Sequence, residues 1–308
     1  MLRAAENQGT IVLETSCLAA EVHTTGYVSG VAGGTLLDKA TGARDLGFGL
    51  DIVDFLLEPL ADEPGAEHPY SRDVMLHGHM PKRYVELPQI CTGARSVQHE
   101  LIRGPDFLAV RQWFRYTTAT YGRRPGSLWE QTLVFPEHTR YFLACDTITS
   151  ANTVDQLTLR LDMPGHLKHD AGDSFEQVYL SYHGFLPAAE FRDDFAPDAR
   201  FLYQRGAQAM PERMVRAYQT RPGGRPGPWL ASITLDPSVV SEAWCHQRGY
   251  VCFIQEIGGF RVEEGRRLGA AYVVGFFDGV PEMEAVADRY RGARTLTVSQ
   301  DRYDFGEL

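Results

Sequence analysis

No run in the chain approaches about 18 consecutive apolar residues, so no membrane-spanning helix is expected. Cysteine is sparse. The five residues Cys17, Cys91, Cys145, Cys245 and Cys252 are odd in number, widely separated and free of any CxxC pair. That excludes a disulfide framework and a zinc-knuckle pattern, and points to buried free thiols in a reducing compartment. Positive charge is in deficit: 30 Lys and Arg stand against 40 Asp and Glu, a net charge of −10. Nucleic acid and anionic membrane are therefore not expected as partners, although a locally basic pocket for an acidic sugar remains open. The opening residues MLRAAENQGTIVLETS lack the apolar core of a secretory leader, which makes the cytoplasm the expected location. The sequence has no GxSxG, HExxH, P-loop or Rossmann pattern, so neither a serine hydrolase nor a nucleotide cofactor is expected. Internal repeats and low-complexity segments are also absent.

What is present is a succession of strand-like runs. Residues 10–13 and 18–22 read as first strands. They are followed by 96–103, 107–118, 127–135, 141–149 and 155–162, with turns at Gly104-Pro105-Asp106, 122–126 and Pro136-Glu137. Further strands are expected at 175–183, 229–235, 250–257 and 269–277, and a short helical turn at Asp236-Pro237-Ser238. Met163–His169 (MPGHLKH) reads as a break in the pattern. The helix expected with best support is 281–290, with Pro281 at its start and an apolar stripe of Met283, Val286, Ala287 and Tyr290. The apolar run 50–57 contains Asp51 and Asp54, which must be edge-exposed, paired or part of a site, because an unpaired buried carboxylate is costly. The acidic, proline-containing stretch 58–72 reads as a long loop.

Residues 26–50 (GYVSGVAGGTLLDKATGARDLGFGL) read as strand, turn, strand. Asp38-Lys39-Ala40-Thr41-Gly42 forms the turn, and Gly42 suits a positive φ. This segment resembles the N-terminal hairpin of galactose-mutarotase-like β-supersandwich proteins. The resemblance implies an all-β fold: a large antiparallel β-supersandwich over one domain, 1–308, with a short C-terminal helix. It also implies a carbohydrate ligand and a sheet face carrying a histidine acid and a glutamate base. The mutarotase histidine motifs themselves are not recognisable, so the cleft is carried over and not specific residues.

Candidate site residues follow from side-chain chemistry. Acid–base work on a sugar needs one proton donor and one acceptor, and His77, His79, Glu130 and His246 are the candidates for catalysis. Arg83, Arg111 and Arg248 could hold a carboxylate in bidentate fashion, and Trp113 and Trp244 could stack on a sugar ring. His77 and His79 flank Gly78 and share a side of an extended segment. Together with His166 they form a candidate divalent-metal set, so the cofactor expectation is none or a divalent metal. Three readings compete: a lyase or deglycosylase for a small or oligomeric, possibly acidic sugar; an aldose mutarotase or epimerase; and a non-catalytic carbohydrate-binding protein.

Overall fold

The computed structural model describes residues 2–59, 82–120, 122–169, 174–195, 200–247 and 249–308. Among these residues two large antiparallel sheets carry the fold. One has nine strands, in the spatial order 98–103, 107–115, 128–136, 141–149, 267–277, 229–234, 214–220, 175–180 and 184–187. The other has seven, in the order 118–119, 82–87, 52–59, 154–167, 251–262, 240–247 and 203–204. A smaller sheet of N-terminal strands, including Thr10–Glu14 and Leu18–His23, packs beside them. The expected antiparallel β-supersandwich is the architecture found.

Strand alternation explains how the sheets stack. Leu108, Val110, Leu133 and Phe142 of the nine-stranded sheet share one apolar cluster with Leu157, Leu159, Leu161 and Phe253 of the seven-stranded sheet. Ile11, Val22 and Leu50 continue that cluster into the N-terminal sheet. Residues of opposite parity, including Phe107, Ala109, Leu143 and Val273, form a second cluster with Met283, Val286 and Ala287 of the helix Val280–Arg289. The middle of the nine-stranded sheet is thus covered on both faces. This is why Tyr141–Thr149 reads as a continuous apolar run, buried at every position but its last. The hairpin of Thr295–Val298 and Tyr303–Gly306, which the sequence reading did not anticipate, lies over the same outer face.

Two expectations need correction. In residues 26–50 an antiparallel Leu37–Arg44 bridge closes the expected turn, but the runs on either side do not pair with each other along their length. Val31–Ala32 pairs with Gly49–Leu50, while Leu37–Asp38 pairs back to the strand Leu18–His23. The turn chemistry is as expected: Gly42 has φ 76°, and Asp38 accepts from the Thr41 hydroxyl and the Ala40 N–H. The second correction concerns Met163–His169. The strand does not stop there but runs on as Val154–Leu167, with a bulge between Asp162 and His166. Gly165 has φ 94°, and a Cβ there would lie 2.0 Å from the Gly49 carbonyl oxygen, so only glycine fits the bulge.

Candidate functional site

The outer face of the seven-stranded sheet, turned away from the core, carries the charged residues. Along the strand 154–167 the core-facing residues are Leu157, Leu159, Leu161 and Met163, so Arg160 and Asp162 point outward. Register places Arg160 opposite Glu256, and Glu256 opposite Glu242. Glu256 accepts from Arg160 Nε at 3.0 Å and Nη2 at 2.6 Å. Lys82 Nζ reaches Glu256 at 2.9 Å and Glu242 at 3.1 Å. These four side chains are almost wholly buried and carry two charges of each sign. Each charge has a partner, as burial at this depth requires. A small cleft of about 120 Å³ opens beside Lys82, Glu242 and Glu256. Arg160 also lies over the Trp244 ring, 5.2 Å from its centroid.

Further along the same face, register puts His166, Cys252 and His246 in one row across three strands. His166 shares the outward parity of Asp162, and the bulge at Gly165 draws it back along the strand so that its Nε2 contacts the carboxylate of Asp162. Asp162 is fully buried, its second oxygen accepting from the Phe253 N–H at 3.1 Å, whereas His166 keeps 28% of its side chain open. Burial pulls the His166 imidazole down. The charges of Asp162 and Asp54 outweigh it and lift the pKa to about 9. His166 is therefore an imidazolium at neutral pH. Asp54 accepts from the Gln89 side-chain amide and faces the Cys91 thiol at 3.7 Å. Burial and the charge of Asp162 raise its pKa. Tyr27 completes the group; burial and the neighbouring Cys91, Asp162 and Asp54 keep its phenol protonated.

An aromatic wall stands over this cluster. Phe48 packs edge-on to Tyr250 at 4.9 Å and to the His166 ring at 6.4 Å between centroids. Both Phe48 and Tyr250 are exposed, and the Lys168 ammonium lies 6.0 Å from the Tyr250 ring. The Phe48 N–H donates to the His166 carbonyl at 3.1 Å. The end of the 26–50 segment is therefore tied to the bulge that presents His166.

The sequence matches no protein-family model and no curated protein. Among solved structures the chain is similar to galactose 1-epimerase from Lactobacillus acidophilus, at 10% identity and a TM-score of 0.49, over 91% of this chain and 99% of that one. It is also similar to α-N-acetylgalactosaminidase from Bifidobacterium bifidum, at 15% identity and a TM-score of 0.49, over 93% of this chain and 39% of that one. A third likeness is to heparan sulfate lyase from Pedobacter heparinus, at 11% identity and a TM-score of 0.42, over 91% of this chain and 37% of that one. The chain thus spans about two fifths of the length of the latter two enzymes.

The residues expected from sequence to share one site are dispersed. His77, His79 and Arg248 lie outside the described residues, as does most of the 58–72 loop. His166 and His246 do share the outer face of the seven-stranded sheet, flanking Cys252. Glu130, Arg111 and Trp113 do not join them. They sit on the outer face of the nine-stranded sheet, because they share strand parity with Phe107 and Ala109 rather than with Leu108 and Val110. Arg83 is engaged with Glu58 at 2.8 Å, in a structural cluster that includes Arg123. Trp244 is fully buried beneath Arg160, so its ring offers no stacking surface.

The donor atoms of Asp162, His166 and Cys252 all lie within 4.8 Å of one another, so these residues could hold a divalent ion. Burial raises the Cys252 pKa, so an ion would have to displace the thiol proton. Sequence reasoning missed Asp162 and, as site members, Phe48 and Tyr250. The pairing of Asp162 with His166 at i, i+4 depends on the bulge, and Pro164-Gly165 was its only trace in the sequence.

Proposed function

We propose that the chain is a carbohydrate-active enzyme that moves protons on a small sugar. His166 is the donor, and a carboxylate of the Asp54–Asp162 pair is the acceptor. The observation that carries this reading is the half-open His166 imidazole, held by buried Asp162 at the foot of the exposed Phe48–Tyr250 wall. A pyranose ring has an apolar C–H face for such a wall and oxygens at its rim for the imidazolium. Opening an aldose ring needs a proton delivered to the ring oxygen while another leaves the anomeric hydroxyl. A cationic His166 with carboxylates beside it suits that reaction, which favours the mutarotase or epimerase type. The lyase or deglycosylase reading on an acidic sugar is supported by Lys168 next to Tyr250, where an ammonium could meet a carboxylate. It needs a neutral base, which His166 with a pKa near 9 does not provide at neutral pH.

Polarimetry of freshly dissolved aldoses separates these readings. The account expects accelerated mutarotation of at least one aldose, with kcat falling about a hundredfold or more in His166→Gln, the usual span for losing a general acid. Appearance of an unsaturated-uronate absorbance from an acidic oligosaccharide, with no effect on any aldose, would favour the lyase type. Binding without turnover of either would leave a carbohydrate-binding protein. Chelator treatment is expected to leave turnover unchanged when His166 acts as the acid, and to abolish it when Asp162, His166 and Cys252 hold a metal.

A further inference from the structure

The nine-stranded sheet carries polar residues on its outer face, remote in the fold from the His166 cluster. Cross-strand register lines up Gln98, Trp113, Glu130 and Thr147 in one row and Glu100, Arg111, Thr132 and Cys145 in the next. A cleft of about 260 Å³ lies over these rows, closed on one side by Thr295 and Thr297 of the C-terminal hairpin. A second hollow of about 540 Å³ adjoins it, walled by Gln98, Phe114 and Arg115. Trp113 lines both, so the two hollows adjoin at this residue to make a groove.

Trp113 differs from the other three tryptophans of the chain. Trp129, Trp229 and Trp244 are 1%, 5% and 0% exposed, whereas Trp113 is half-buried. Its Nε1–H donates to Gln98 Oε1 at 2.6 Å, which fixes the ring. Around the first hollow the charges are matched, Arg111 to Glu100 at 3.3 Å and Arg267 to Glu130 at 2.9 Å, while Arg115 of the second hollow donates to the Gly126 carbonyl at 2.6 Å. A hollow whose charges cancel, as those over Trp113 and Glu130 do, does not recruit an ion. It offers fixed donors, fixed acceptors and threonine hydroxyls around one aromatic face, which is the complement of a neutral pyranose.

We propose that this groove is a second, non-catalytic binding site for a neutral oligosaccharide, with one sugar ring stacked on Trp113 and its neighbours lying in the two hollows. It lies on a different sheet from the His166 cluster, and its residues are independent of the reaction proposed for that cluster.

Isothermal titration of the full chain with cellotetraose, maltotetraose and chitotetraose tests the proposal, with tetragalacturonate as the charged comparison. At least one neutral tetrasaccharide is expected to bind saturably. Trp113→Ala is expected to weaken it by about tenfold or more, the loss that follows from removing one aromatic stacking contact. Glu130→Gln, which keeps the side-chain volume, is expected to weaken the same ligand, and His166→Gln to leave its affinity unchanged. Thermal unfolding of each variant separates lost binding from lost folding. The proposal is overturned if no neutral tetrasaccharide binds at millimolar concentration, or if tetragalacturonate alone does. It is equally overturned if binding survives both Trp113→Ala and Glu130→Gln, or if His166→Gln abolishes it.

Discussion

His166 shows how one side chain takes its character from its neighbours. Burial alone would leave it neutral; Asp162 and Asp54 make it a cation. Asp162→Asn is therefore expected to drop the His166 pKa from about 9 to below the ordinary histidine value, because the desolvation remains and the main charge is gone. A histidine whose folded pKa is raised contributes stability in full below its unfolded pKa. That contribution is lost as pH rises through the folded value. Wild-type stability is thus expected to decline from about pH 6.5 to 9, by at most on the order of 3 kcal/mol, and Asp162→Asn to remove that slope. Denaturant unfolding at a series of pH values checks this. A second contrast concerns two glutamates. Glu256 is wholly buried and is the carboxylate that Arg160 and Lys82 share, so Glu256→Ala is expected to cost about 3–5 kcal/mol by leaving Lys82 with Glu242 alone and taking from Arg160 its ion-pair partner. Glu130 meets a half-exposed Arg267, so Glu130→Ala is expected to cost less than about 1 kcal/mol. Equal losses in the two variants would contradict the burial assigned to the network.

At the scale of the element, the strand Val154–Leu167 decides where the site lies. Its bulge brings His166 to the side of Asp162, and Gly165 makes the bulge possible. Gly165→Ala places a methyl against the Gly49 carbonyl at a positive φ, so a loss of about 2 kcal/mol or more is expected. A folded Gly165→Ala chain is also expected to lose the raised His166 pKa; an unchanged pKa would show that the bulge does not hold the pair. The same element marks the limit of what the sequence disclosed. Strands such as Tyr141–Thr149 were legible because they are apolar throughout or alternate cleanly. The histidines were recognisable as candidates, but their partners were not. Glu130, Trp113 and His246 all face outward, but from different sheets, and the sequence does not disclose which sheet a strand joins. Likewise Pro164-Gly165 looks the same whether it ends a strand or bulges it.

At the scale of the whole molecule, the interior between the sheets is not uniformly apolar. Asp51 and Asp146 are fully buried side by side, and neither oxygen of Asp51 finds an N–H or O–H donor among the described residues. Asp146 accepts from Trp129 Nε1 at 2.9 Å and from Gln131 Nε2 at 3.2 Å, and its pKa is raised to about 6 by burial. The pair is therefore best satisfied when a proton lies between the two carboxyls. Asp51 is thus paired with Asp146, while Asp54 lies beside Asp162 and His166 in the candidate site. A carboxyl with a raised folded pKa binds its proton more tightly folded than unfolded, so stability falls as pH rises above about 4, through the Asp146 value near 6 and onward while Asp51, raised by burial and by Asp146, still holds its proton. Asp51→Asn supplies a permanent donor at a positive-φ position that asparagine tolerates, and is expected to flatten that decline and raise the thermal midpoint at neutral pH. The architecture thus sets the two ionisable clusters apart: a proton-sharing pair within the core, and His166 with its carboxylates on the outer face under an aromatic wall. The central claim is that His166 is a cationic proton donor facing a sugar. Its most direct test is NMR titration of the His166 ring in the intact chain, with and without a saturating aldose such as D-galactose. The account predicts a pKa near 9 that moves when the sugar binds; an ordinary pKa near 6.5, unmoved by any aldose, would contradict it.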